Sequence, residues 1–362
     1  MVLHSGTSSS ASHLGVSQPD RRVRPSTPDD GPAIVALMKE AGLEPHCDPQ
    51  HLNWKYWQTR EDWHGPRSFV LIDGQTLLAH VALMPGTLRW GQSGSRVIHM
   101  IDWAARRDAV GAGVVLMNHV GRQADLLLSI GGSDMTRRIM PLIGYRLCGE
   151  VTGYVRPLSP VRLLGRSRGP RWRLGPRLAR SAAWALAAPS PDPGPCLTHP
   201  IGAKDVEQLS AVLPIAGLSL AVLDRSSAQF RYALSCPIAP FELHAIEQRR
   251  HVSGYFALSY VPGQARLADL WMDSSDPADW RVLVHSAVRE ARAKGGLAEI
   301  TAWANDPGLS GVLKGCGFHP RFTMPIYLRA STAGIVPKQT LRVQMLDSDA
   351  FYLYSSQDEL WA

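Results

Sequence analysis

The 362 residues predict an α/β protein: a mixed central sheet flanked by helices, built in the first half of the chain and again in the second. Three observations carry this. Short apolar runs at strand spacing alternate with segments at helical spacing. Gly-containing turns punctuate them. The element order over residues 21–157 also returns, in weaker form, over residues 196–362. Apolar content of 45% and charged content of 19% fit a globular chain, and the length is long for one core. No run of eighteen apolar residues marks a membrane span. Residues 1–20, rich in Ser and His without an apolar core, read as a disordered tail rather than a secretory leader. Five scattered cysteines without C-x-x-C spacing point to reduced thiols in a cytoplasmic compartment, and away from a disulfide framework or a zinc site.

Taken in order, Arg22 to Pro25 reads as a first strand. Thr27-Pro28-Asp29-Asp30 then supplies cap chemistry for a helix carrying Ile34, Leu37 and Met38. The aromatic stretch Leu52 to Trp57 reads as helical, with Trp54 and Trp57 on one side. Asp73-Gly74 between Ser68–Ile72 and Leu77–Met84 marks a hairpin. A strand ends at Trp103, and after a short loop Gly111-Ala112-Gly113 opens a helix through Leu116 and Val120. Leu126 to Ile130 is the next strand, followed by the turn Gly131-Gly132-Ser133, a helix, and Gly144-Tyr145. The strand, glycine turn and helix start around Gly111 make an anion cradle. Unpaired amides and the helix dipole face outward, and glycine lets a phosphate approach the backbone.

Those residues resemble the GNAT family, the acyl-CoA-dependent N-acyltransferases, over roughly residues 20–157. The resemblance implies two splayed strands with pantetheine between them and a pyrophosphate on the loop amides. On this sequence it assigns acetyl-CoA or another acyl-CoA to Ile101, Trp103, Val110, Gly111, Ala112, Gly113, Val114 and Ser133. It also places Trp54, Tyr56, Trp57 and His80 on the acceptor side. Two positions depart from the family pattern. Asp108 stands where Arg or Gln is usual, and Met140 stands where many members carry a Tyr that protonates the leaving thiolate.

Acyl transfer to an amine needs a donor to the thioester carbonyl and a base for the ammonium. In the family a backbone N–H of the strand around Ile101, Asp102 and Trp103 polarises the carbonyl. For the base the chain offers Asp102 and His99. Three apart on a strand, they point to opposite faces unless a bulge intervenes. Each residue type is also common as packed structure: His on an apolar strand, Asp in an ion pair.

In the second half, Phe230-Arg231-Tyr232 matches Trp54 to Trp57, Arg266 to Trp271 matches Ile98 to Trp103, and Gly317-Phe318 matches Gly144-Tyr145. The loop after Trp271 has no glycine and three acids, which disfavours a pyrophosphate. The second copy therefore resembles a GNAT-like domain without a cofactor site. Between the copies, residues 158–195 form an Arg/Pro-rich linker. Eight arginines and no acid lie between Val151 and Pro191, and without them the net charge of +7 becomes −1. The basic character is thus local, which argues against DNA binding by a domain face. The linker suits a docked helix or a peripheral contact with an anionic membrane.

These readings together predict an N-acyltransferase acting on a small-molecule or glycan amine, such as an amino sugar or envelope precursor, with no metal. Asp347-Ser348-Asp349 is too sparse for a metal site. Two alternatives stay open: an inactive GNAT-like scaffold, and aminoacyl transfer from tRNA as in peptidoglycan-bridge enzymes.

Overall fold

A computed structural model describes residues 21–163, 171–192, 194, 196–248, 250–331, 334–354 and 360–362. The expected tail at 1–20 and part of the linker lie outside the described residues. In chain order the strands are β1 (Arg21–Pro25), β2 (Ser68–Asp73), β3 (Thr76–Trp90), β4 (Ser93–Ala105), β5 (Leu126–Ile130), β6 (Arg146–Pro157), β7 (Leu197–Ile201), β8 (Leu220–Leu223), β9 (Phe241–Gln248), β10 (His251–Val261), β11 (Gln264–Met272), β12 (Glu299–Ala304), β13 (His319–Ala330) and β14 (Thr340–Arg342). The helices are α1 (Gly31–Glu40), α2 (Pro49–Leu52), α3 (Ala112–Val120), α4 (Asp134–Leu142), α5 (Arg171–Ala187), α6 (Ser227–Leu234), α7 (Pro277–Lys294) and α8 (Pro307–Gly315). Among the described residues, no helix is long and apolar enough to cross a membrane.

All fourteen strands join one mixed sheet, in the order β1-β2-β3-β4-β5-β13-β6-β12-β11-β10-β9-β7, with β8 on β3 and β14 on β8. The centre of this order is exchanged. β13 comes from the end of the chain yet pairs with β5, and β6 comes from the first half yet pairs with β12. Each side thus closes its sheet with a strand from the other.

Local chemistry explains the first elements. Thr27 and Asp30 form a capping box, with Asp30 also gripped by Arg24 at 2.7 Å, and α1 buries Ile34, Leu37 and Met38 on the sheet. The β2–β3 hairpin turns at Gly74, whose φ of +56° suits glycine. The expected helix at 52–57 is a short α2 followed by a π-turn over Asn53–Trp57, closed by Gln58 N–H on Asn53 O. Its wider i→i+5 turn spreads residues three apart around the axis. Trp54 and Trp57 therefore face different neighbours rather than sharing a side. The turn's C-terminal carbonyls are collected by the buried Arg67, whose guanidinium donates to Trp54, Lys55 and Gln58 oxygens at 2.7–2.9 Å.

The helix α5 packs Leu178 and Trp184 into a small core with Val155, Leu163 and Trp361. Trp184 also stacks on His319 at 4.1 Å. Its apolar side is thus engaged by the protein's own sheet.

Candidate active site

The site begins where β4 leaves β5. The two strands pair in parallel only at Val97–His99 with Leu126–Leu128. Beyond that, Ser129 and Ile130 of β5 pair with β13, and β4 continues alone on that side to Ala105. The strands splay from His99 onward. On its other edge β4 carries a bulge: His80 faces Ala104 and Ala82 faces Ile101, so Asp102 and Trp103 stand opposite Val81 alone. Asp102 has φ +50°, a left-handed backbone that costs a non-glycine residue about 1–2 kcal/mol.

A closed network holds that conformation. The Asp102 carboxylate takes the Lys55 ammonium at 2.5 Å and the Tyr56 hydroxyl at 2.7 Å. Burial pushes its carboxyl up, but these two partners outweigh that, and it titrates below the usual carboxylate range. The Asp102 carbonyl lies 3.1 Å from His80 Nδ1. A carbonyl only accepts, so Nδ1 carries the proton and Nε2 is the acceptor. Ser68 Oγ lies 2.9 Å from Nε2, Ser26 donates to Ser68 at 2.6 Å, and the Trp57 indole donates to Ser26 at 2.9 Å. His80 is completely buried, and burial lowers it to about 4. It stays neutral and holds the bulge from inside, so the structure corrects its expected place on an acceptor wall. Lys55 also belongs to the site, and its sequence signal is a charge inside the aromatic run Trp54–Trp57.

Beyond Trp103 the chain reaches the glycine turn. Gly111 has φ +81°, and a Cβ there would meet nothing within 4 Å, so this turn is open. Ala112 N–H bonds Ala109 O, which removes it from the expected cradle. Among the described residues the amides of Gly111, Gly113 and Val114 have no backbone acceptor. The Trp103 indole donates to Gly113 O at 3.1 Å and packs so closely that a Cβ on Gly113 would stand 3.0 Å from it. Val110 is 90% exposed at the rim. Asp108 does not point bare charge at this turn, because Arg106 holds both its oxygens at 3.0 Å. Ser133, expected to touch the cofactor, caps α4 by accepting Thr136 N–H. Met140 is buried in the core, and the hydroxyl of the buried Tyr145 rests on Met100 sulfur.

His99 sits at the apex of the splay, away from Asp102, with Nδ1 2.9 Å from Asp347 O. Burial lowers it, so it is neutral. It lines a small cavity of about 30 Å³ with Arg60, Asp224, Gln229 and Asp347. That cavity shares Pro85, Gly86, Asp224 and Gln229 with one of about 160 Å³ that reaches Trp63 and Arg96. Asp102, Lys55, Tyr56 and His51 border a different cavity, of about 80 Å³. Trp57 lines a fourth, of about 240 Å³, with Arg60 and Trp63. Trp54 lines none of these. Its ring stacks on Tyr232 at 4.4 Å, and its indole donates to Tyr232 O and Ser235 Oγ, so it joins the halves instead of walling a cleft.

The other side of the sheet repeats the geometry and then fills it. β11 and β12 pair only at Gln264–Leu267, and β11 has its own bulge at Ala268, next to Asp269. Into that splay runs the segment after β14. The Gln344 side-chain amide accepts from Leu270 N–H at 2.9 Å and donates to Leu270 O at 3.0 Å. Asn305 binds Leu341 O and Val343 N–H. A glutamine side chain thus takes the place of a strand partner.

The fold as a whole has counterparts among solved structures. A GCN5-related N-acetyltransferase from Anabaena variabilis matches over 86% of this chain and 72% of its own, with TM-score 0.57 and 12% identity. The Saccharomyces cerevisiae N-myristoyltransferase with bound myristoyl-CoA matches over 85% and 80%, with TM-score 0.59 and 12% identity. A probable N-acyltransferase from Enterococcus faecalis matches over 87% and 74%, with TM-score 0.55 and 12% identity. The chain has the GNAT fold. No family model matches the sequence, and no curated protein matches it. Among the described residues β4 has no strand partner on the β5 side beyond His99, whereas between β11 and β12 the chain itself supplies Gln344.

Proposed function

We propose that this protein is an N-acyltransferase that moves an acyl group from acyl-CoA to a primary amine, using the β4–β5 gap. One observation carries the reading: splay, bulge and amide-open helix start lie along β4 and the loop that follows it. The residues fit the donor. Gly111, Gly113 and Val114 amides at the α3 N-terminus suit a diphosphate, and the bared edge of β4 offers the pantetheine a hydrogen-bonding ladder. The thioester would then lie toward the apex, at Ile101 and His99.

His99 is the group suited to be the base. It is neutral at pH 7, its Nδ1–H is held by Asp347 O, and its Nε2 keeps a lone pair. The amine nitrogen attacks the thioester carbon and the C–S bond breaks. The proton shed by nitrogen passes to Nε2 and the thiolate leaves. Neither Met140 nor Tyr145 is placed to protonate it, so water serves. Asp102, locked by Lys55 and Tyr56, shapes the bulge and remains an anion. For the acceptor, the cavity bordered by Trp63, Asp62, Asp224 and Gln229 also carries Arg96, and Arg60 and Arg89 already pair its two acids. It therefore suits a neutral hydroxylated amine, such as the free-base form of an amino sugar.

Thermal-shift titration with CoA, acetyl-CoA and longer acyl-CoAs tests the donor. Saturable stabilisation, lost in Gly111→Arg, is expected. No shift with any acyl-CoA far above micromolar concentration refutes the reading.

A further inference from the structure

The filled side of the sheet is wired to His99. Asp269, beside the β11 bulge, is completely buried and receives Arg225 through two parallel bonds, Nε to Oδ2 and Nη2 to Oδ1, both 2.8 Å. Tyr255 donates to the same Oδ2 at 2.6 Å. The third arm of the guanidinium, Nη1, stands 2.7 Å from Asp347 Oδ1. Gln344 N–H holds the other Asp347 oxygen at 2.7 Å. The carboxylate of Asp347 is therefore held by one hydrogen bond and one ion pair, Nη1 itself donating to Leu223 O at 3.1 Å, and the Asp347 backbone carbonyl is the partner of His99 Nδ1. Arg225, Asp269 and Asp347 are at most 7% exposed. Bidentate pairing gives Arg a fixed direction that Lys cannot supply.

We infer that Arg225 is a positioning residue for His99: anchored on Asp269, it holds Asp347 so that the Asp347 carbonyl fixes the Nδ1–H tautomer and leaves Nε2 as the acceptor. The second bulge keeps an aspartate but uses it as the footing of the first half's base. This rests on the reading of His99 as base, yet its structural part can be measured without turnover. The charged groups facing His99 are Arg60 and Asp224 across the cavity, and Asp347 and Asp349 on the C-terminal segment. Arg225 touches none of the imidazole directly.

The test is ¹⁵N NMR of histidine-labelled full-length protein across pH, with His99→Gln to assign the signal, beside pH profiles of kcat/KM. Wild type is expected to show the Nδ1–H tautomer alone. Arg225→Lys is expected to give mixed tautomers, a shifted His99 titration, and kcat lowered tenfold or more at unchanged KM for acyl-CoA. Asp347→Asn, which keeps the shape, gives the same signature more mildly and serves if Arg225→Lys fails to fold. An unchanged tautomer and titration in the folded variant overturns the inference, even if its melting temperature falls. Full activity in His99→Gln overturns the base reading instead, while the tautomer data stand independently.

Discussion

Replacing Lys55 with Met removes the cation from a buried pair while preserving most of the side-chain volume. Lys55 and Asp102 side chains are 4% and 6% exposed and 2.5 Å apart, so water cannot take over the lost interaction. Stripping one partner from such a pair costs about 3–5 kcal/mol, because the other charge stays buried. With an unfolding entropy of roughly 0.8 kcal/mol/K for a chain of this length, 4 kcal/mol lowers the melting temperature by about 5 °C. The pH dependence identifies the cause. In the wild type Asp102 lies below its ordinary value, so its contribution is present above about pH 4 and fades below. In Lys55→Met burial dominates and raises it, so the penalty grows as pH climbs from about 4 to 7. Adding Asp102→Asn removes the stranded charge and should recover most of the loss. Urea unfolding followed by tryptophan fluorescence at pH 4.5 and 7 measures all four corners of the cycle. A loss under about 1 kcal/mol at pH 7, or a double variant as unstable as both singles together, refutes the argument.

Two further outcomes follow from other buried groups. His80 and His51 are held neutral, lowered to about 4 and about 3. Both bind protons more readily when unfolded, so stability falls as pH drops from about 6.5 toward 4. His80 alone accounts for roughly 3 kcal/mol, and a urea midpoint that stays flat over that range contradicts this. Gln344→Leu should cost about 3 kcal/mol, because Leu270 N–H and C=O lose their partners inside the sheet. Urea unfolding at pH 7 checks it, and a loss under 0.5 kcal/mol would show that water or another group replaces the amide.

Much of the site was readable because it depends on local chemistry. Gly111 and Gly74 announce their turns through backbone freedom, and Asp102 stood out as an acid in an apolar strand. The bulge on which a shared face for His99 and Asp102 depended is present, but the two residues border different cavities. What stayed hidden depends on distant partners. Nothing in Trp54 says that Tyr232, its counterpart in the repeat, will stack on it. Lys55 looks like a surface charge until Asp102 is placed 2.5 Å away. Gln344 and Arg225 acquire their roles only once β11 and β12 separate and leave Leu270 in need of partners. The sequence also could not disclose that β6 and β13 trade places, since both orders bury the same apolar faces.

That exchange has a consequence for how the protein is made. As the nascent chain leaves the ribosome, β5 emerges with one edge bare, and its partner, residues 319–330, is synthesised almost two hundred residues later. The first half cannot finish folding during that interval, and an open strand edge invites pairing with other chains. A gene cut after Pro157 would strand both β5 and β6, whereas the same cut with both fragments produced together leaves every strand a partner to find. The gap beside β4, although every residue of its glycine turn belongs to the first half, is thus completed only once residues 319–330 have been made.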